Sequence, residues 1–413
     1  MVELRRSLGL FDAFAIGVGA IVGAGIFVVI GVSASLSGPA LLVSLLIGAL
    51  VSALTAMSFA ELATRIPKEG GGYEFAHELV SPLGGFVSGW MWLISNIASG
   101  AAVAIGLAGY LALFIPLPIN ALAALACIGV TGLNLWGLKG SARFNDALVM
   151  FKVGVLVLFV VSGLFLIDLG NFSPFAPNGA LGVMEGAALI FFAFSGFGRV
   201  AMLSEEVKDP QRTVPKAILL SLVASTVIYL LVAATAIGLI GTDALGASDS
   251  PLTEAALVEG QFMGRLMTVA ALAATLSVLL TTLLGVSRIS FAMARNGDLP
   301  ARLVAVHPRT GSPYIAVLAF GALMTLLSLS SSILFAAAVS NFASLIYYAL
   351  VNWSAIRMKA PLYARAFPWL GLATCLFLMV FLDRNAWLLG TASLVAILGW
   401  YWISKRMRGS AAV

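Results

Sequence analysis

The chain has 413 residues, of which 61% are hydrophobic and only 10% are charged, with a formal net charge of +5. Soluble domains carry about 25% charged residues, so this chain lacks the polar surface of a water-facing globule. Its two cysteines, Cys127 and Cys375, lie in apolar runs and suit neither a disulfide framework nor a metal site.

Apolar runs of about 20 residues recur along the whole length, which is what a helix needs to cross a hydrocarbon core about 30 Å thick. The short alternating segments of a β-barrel do not occur. Lipid offers no partners for loose backbone groups, so the predicted fold is an all-α membrane bundle. A basic start, Met1 to Arg6, precedes the first run without a clear small-residue cleavage site, and that run is read as the first span. Twelve spans are predicted, near 11–34, 39–65, 83–115, 119–138, 145–168, 184–207, 215–241, 264–294, 314–330, 333–356, 366–382 and 386–404. Turn residues such as Ser37-Gly38-Pro39 and Pro116-Leu117-Pro118 separate them.

Charge sets the orientation. With the N-terminus inside, 19 of the 23 basic residues fall on inner segments, only Arg265 and Arg384 fall outside, and Lys152 and Arg199 lie at membrane depth. This positive-inside bias predicts a cell (cytoplasmic) membrane protein with both termini cytoplasmic. It also accounts for the net charge without a nucleic-acid partner.

Two spans carry glycines in mid-membrane. The first reads Gly17-Val18-Gly19-Ala20-Ile21-Val22-Gly23-Ala24-Gly25-Ile26-Phe27, and the sixth reads Phe191-Phe192-Ala193-Phe194-Ser195-Gly196-Phe197-Gly198. Each such glycine disfavours helix by roughly 1 kcal/mol relative to alanine. Close helix packing is one use of glycine faces. A pair of interrupted helices five spans apart points instead to an inverted-repeat transporter with its site at the breaks. Unwinding frees N–H groups at one half-helix end, which attract a carboxylate, and carbonyls at the other, which accept from an ammonium. An amino acid can be held at both ends in this way with no charged side chain.

Lys152 lies well inside the fifth span, where an isolated charge is costly. It is six residues past Asp146, about 9 Å along a helix. Snorkelling to the inner surface and service as a desolvated proton carrier are therefore both open from the residues alone. Arg199 is read as snorkelling or pairing with Glu205 or Glu206. Asn96 is a candidate substrate contact beside the commoner role of a helix–helix hydrogen bond. His77 and His307 fall in inner loops with no metal-ligand spacing, which argues against an enzyme. A channel would need a filter rather than paired breaks.

Five motifs in chain order carry a family resemblance: Gly19 to Phe27; Pro67-Lys68-Glu69-Gly70-Gly71-Gly72-Tyr73 with Gly85-Phe86 and Gly89-Trp90; Phe191 to Phe197 with Glu205 to Arg212; Ser287 to Pro300; and His307-Pro308-Arg309 to Pro313. The chain resembles the amino acid–polyamine–organocation superfamily, in particular prokaryotic proton-coupled amino acid permeases and their cationic-amino-acid relatives. The resemblance implies one transporter domain over 1–413, with a five-plus-five inverted repeat as in the leucine-transporter fold. The first repeat would span about 11–168, the second about 184–356, and two extra helices about 366–404, with helices 1 and 6 unwound at mid-membrane.

It implies that amides of Gly23, Ala24 and Gly25 bind the substrate carboxylate, that carbonyls of Ile21, Phe192 and Ser195, with Gly196 beside them, bind the α-amino group, and that Phe192 is an aromatic gate. It places a lysine at Lys152 where sodium-coupled relatives hold an ion, near Thr281 and Thr282. The expected activity is proton-coupled uptake of small or neutral amino acids, since Gly198 stands where some cation-selective relatives have an acid. Sodium-independent exchange of amino acids or polyamines and a non-transporting amino acid sensor are the alternatives. No cofactor or metal is expected, and the proton is the coupling ion. The expected partners are the amino acid and the bilayer, while any protein partner stays open.

Overall fold

The computed structural model describes residues 8–66, 70–136, 142–198, 200, 207–307, 313–358 and 365–410, with the side chains of 142–146 and 404–410 excepted. Among them there is no strand, and Leu8 pairs with Val207 in a single parallel bridge. Lys208 N–H donates to Leu8 O at 2.9 Å in that bridge, tying the entry of the first span to the chain beyond the sixth.

The helices in chain order are α1 (Leu10–Ile21), α2 (Ile30–Ser37), α3 (Leu41–Arg65), α4 (Gly72–Leu79), α5 (Pro82–Ala112), α6 (Ile119–Leu135), α7 (Ala142–Gly163) and α8 (Gly179–Ile190). After a 3₁₀ segment at Phe191–Phe197 come α9 (Pro210–Ala247), α10 (Pro251–Glu259), α11 (Gln261–Arg295), α12 (Tyr314–Ser330), α13 (Ile333–Arg357), α14 (Ala366–Met379) and α15 (Arg384–Ser410).

Local chemistry sets several of these ends. Pro82 and Pro251 occupy first turns, where a missing N–H costs nothing. Ser81 and Ser332 accept the free amides of Gly84 and Phe335. Between α2 and α3 the turn needs glycine: Gly38 has φ +61°, and a β-carbon there would strike the Pro177 ring. Within α9, Gly241 leaves helical geometry at φ 75°, close to the predicted end of the seventh span.

Eight helical stretches among the described residues are long and apolar enough to cross a bilayer, the first being Leu10–Arg65, which contains the first two predicted spans. Three more apolar helices, α6, α12 and α14, have 17, 17 and 14 residues. At 1.5 Å per residue these reach about 21–26 Å, short of a full crossing by length alone.

The centre of the bundle is α5 packed on α11 and α13, with α1 against α7 and α9. The most apolar window of α5 is 72% buried and that of α15 only 17%, so α15 lies at the periphery. Outward-facing Leu50, Ile128, Met150 and Val161 suit a hydrocarbon surround.

Candidate substrate site at two helix breaks

The first interruption follows α1. Val22 and Gly23 are non-helical, with Val22 at φ −71°, ψ 82°, and the chain resumes as a π-turn over Gly25–Val29 before α2. Gly23, Ala24 and Gly25 therefore stand at the start of the resumed helix, where amides lack intrahelical partners. The second interruption follows α8, whose coil tightens into seven 3₁₀ residues, Phe191–Phe197. Such runs rarely exceed 3–4 residues.

The two interruptions touch. A β-carbon on Gly25 would collide with the backbone of Ala193, and one on Gly196 with the carbonyl of Ala20. The glycines thus serve both readings raised by the sequence, backbone interruption and close approach.

Each carbonyl predicted to face an ammonium already accepts a hydroxyl. Tyr229 Oη on α9 lies 2.6 Å from Ile21 O and 3.1 Å from Ala193 O, bridging both breaks. Ser195 Oγ donates to Phe192 O at 2.9 Å, and Tyr348 Oη on α13 donates to Ser195 O at 3.0 Å. A carbonyl has two lone pairs, so each of the three retains capacity for a second donor. Asn341 on α13 donates to Ala188 O and Leu189 O, both at 2.8 Å, which satisfies carbonyls freed at the end of α8.

Phe192 is 6% exposed. Gly198 is buried, and its nearest neighbour is the Phe59 ring at 3.7 Å from a notional β-carbon.

Lys152 on α7 is 2% exposed, and its Nζ donates to Gly19 O at 2.7 Å. The amine lies in the interior, on the backbone of α1 just before its break, rather than at the inner surface. Gly19 permits this because a side chain there would meet Val149 Cγ2, one turn before Lys152. The break also borders α11, since a β-carbon on Gly23 would meet Val278 Cγ2 at 2.6 Å. On α11, Thr282 is buried and Thr281 Oγ1 donates to Ser277 O at 3.0 Å.

Asn96 is not drawn to either break by its amide: Nδ2 donates to Trp92 O of its own helix at 2.8 Å. Arg199 with Glu205 and Glu206, and Pro67 to Glu69, Pro308 and Arg309 of the motifs, lie outside the described residues. Sequence reasoning missed Tyr229, Tyr348 and Asn341. The available signal was a polar group in mid-span, away from any interfacial belt. No group of three or more His, Cys, Asp or Glu poised for a metal occurs among the described residues.

The family model described as amino acid permease matches residues 12–411. The chain is 36% identical over 397 residues to an uncharacterized transporter of Mycobacterium tuberculosis, covering 95% of this chain and 90% of that one. It is 33% identical over 410 residues to the branched-chain amino acid permease BcaP of Bacillus subtilis, covering 92% and 88%. It is also 33% identical over 333 residues to a methylthioribose transporter of Bacillus subtilis, covering 76% and 72%. Matched by that model over residues 12–411, the chain belongs to the amino acid permease family.

Proposed function

We propose that the protein carries small or neutral amino acids across the cytoplasmic membrane by alternating access, coupled to protons through Lys152. The observation that carries the coupling is the Lys152 Nζ to Gly19 O hydrogen bond, which joins a buried amine to the helix whose break would hold substrate. The architecture we infer is the twelve-span, five-plus-five inverted repeat with two added helices and both termini cytoplasmic. The paired breaks and the 19-to-2 basic bias support it.

In this reading the amides of Gly23, Ala24 and Gly25 take the carboxylate at a half-helix N-terminus. The spare lone pairs of Ile21, Phe192 and Ser195 carbonyls take the ammonium, and Phe192 closes over the side chain. A protonated Lys152 makes a charge-assisted bond that holds α1 against α7. Loss of the proton weakens that bond and frees α1 to open the site inward. Gly198 against Phe59 leaves no acid at that position to balance a cationic side chain.

The test is uptake by proteoliposomes of a panel holding neutral, branched-chain and cationic amino acids, putrescine and methylthioribose. Saturable uptake of neutral amino acids into empty vesicles is expected. Preferred uptake of a cation or of methylthioribose contradicts the substrate class. Uptake only against preloaded substrate makes the protein an exchanger, and binding without flux makes it a sensor.

A further inference from the structure

Two of the sequence motifs meet in space although 225 residues separate them. Tyr73, in the first turn of α4, ends the Gly70-Gly71-Gly72-Tyr73 run, and Asn296-Gly297-Asp298 follows the last turn of α11. Tyr73 Oη donates to Asp298 Oδ2 at 2.7 Å and accepts from Asn296 Nδ2 at 3.0 Å. The same Asn296 amide lies 3.3 Å from Glu74 Oε1, so two adjacent side chains of α4 are tied to the end of α11. One residue earlier, the chain is tied elsewhere. Gly72 N–H donates to Tyr347 Oη on α13 at 3.0 Å, and Ser88 Oγ on α5 donates to Gly72 O at 3.0 Å. Only glycine permits this approach, since a β-carbon at position 72 would lie 2.5 Å from the Tyr347 ring.

From Tyr347 the contacts run on to the second break. Its neighbour Tyr348, with ring centroids 5.2 Å apart, donates to Ser195 O and stacks on Phe197. A second route passes through rings alone: Phe197 meets Phe59 of α3 edge-on, and Phe59 meets Phe75 of α4 in the same way. All three phenylalanines are buried, and a close-packed interior transmits displacement rather than absorbing it. The element at the far end is one that can let go. α4 has eight residues, too few to stay helical without tertiary contacts, so it is held by these ties and opens when they fail.

We propose that α4 is a relay between the second helix break and the end of α11, with Tyr348 and Tyr73 as its positioning residues; this rests on the reading of the breaks as the substrate site. A substrate ammonium on Ser195 O is a second donor to the oxygen that Tyr348 already uses. Two donors draw on one oxygen's charge, so substrate weakens the Tyr348 bond, loosens the Tyr347–Tyr348 pair and, through Gly72, undocks α4 from α11. Coupling is reciprocal, so loss of the Tyr73 tie loosens the second break in turn. Release frees the end of α11 alone, because α10 is bonded near its start through Thr253 and Thr268.

Hydrogen exchange read by mass spectrometry on the full chain in detergent, at fixed pH, tests the relay from both ends. Tyr348→Phe should speed exchange of the α4 amides about fivefold, the worth of one net hydrogen bond, and Tyr73→Phe should do the same to the amides of Phe191–Phe197. Ser344→Ala removes a hydroxyl bonded within α13, one turn before Tyr348, and should leave α4 at the wild-type rate. The α10 amides should hold their rate in all three variants. These arms need no substrate, so they separate failure of the relay from failure of the transport reading. The neutral amino acid taken up best in the panel, once bound, should speed α4 exchange in the wild type and leave it unchanged in Tyr348→Phe. The proposal is overturned if neither tyrosine variant reaches the far element, or if α10 accelerates in step with α4. It is equally overturned if bound substrate leaves wild-type α4 unchanged or slower, or still speeds it in Tyr348→Phe.

Discussion

Gly196 and Tyr348 show how single atoms hold the two breaks together. Gly196 abuts the Ala20 carbonyl so closely that even a methyl group has no room. Gly196→Ala should therefore destabilise the protein by about 1–3 kcal/mol through overpacking, and should lower transport. A thermal shift assay and uptake measured side by side check this, and wild-type values in both would refute the close approach.

Tyr348→Phe removes the hydroxyl on Ser195 O and should cost about 1 kcal/mol of stability. It should alter KM more than folding, because the freed carbonyl is one we propose receives the ammonium; an unchanged KM argues against that role. The glycines and Lys152 were legible as anomalies in apolar runs. The tyrosines were not, because their partners lie 36 to 208 residues away and no local spacing encodes such pairs.

The breaks themselves were readable as elements because glycine weakens helices locally, and the non-helical Val22 and Gly23 and the 3₁₀ run Phe191–Phe197 fall inside the glycine-bearing stretches 17–27 and 191–198. Two short helices outside the spans, α4 and α10, were read only as loops. Each is under ten residues and takes its stability from tertiary burial rather than propensity. α4 is anchored by Tyr73 on Asp298 and by the amide of Gly72 on Tyr347 Oη at 3.0 Å.

At the other end, α10 is tied to α7 by the Ser162 hydroxyl donating to Glu259 Oε2. Burial pushes the Glu259 carboxyl above its ordinary value of 4.5, and the Ser162 hydrogen bond opposes that rise. A raised carboxyl favours the folded contact when protonated. The α10 contact is thus firmest below pH 4.5 and weakens as pH rises through the raised value. Hydrogen exchange in α10, corrected for intrinsic rates, should slow on acidification. Glu259→Gln should keep the slow rate at neutral pH, and a variant that still follows pH would exclude this carboxyl as the cause.

Across the whole molecule, a cluster of aromatic rings gathers beside the second break. Phe59 lies 5.5 Å from Phe75 and 6.3 Å from both Phe197 and Tyr347, and Phe197 stacks on Tyr348 at 5.1 Å. Hydropathy alone announced the membrane bundle, and charge bias carries the orientation we propose. The ring cluster came from neither, since it joins α3, α4, the sixth span and α13 in space only. Both native cysteines are buried, so surface labelling has a low background. Ala247→Cys should react with an impermeant maleimide on intact cells, and Ala301→Cys only after permeabilisation. The opposite pattern would invert the assigned orientation.

The central claim is that Lys152, through Gly19, makes transport depend on the proton. Uptake of the preferred amino acid into empty, sodium-free proteoliposomes, with and without an inward proton gradient, tests it most directly when wild type and Lys152→Ala are run together. The account predicts that the gradient drives accumulation in the wild type and that Lys152→Ala binds substrate but loses the gradient dependence. Accumulation that ignores the gradient in the wild type, or that follows it equally in Lys152→Ala, would contradict the account.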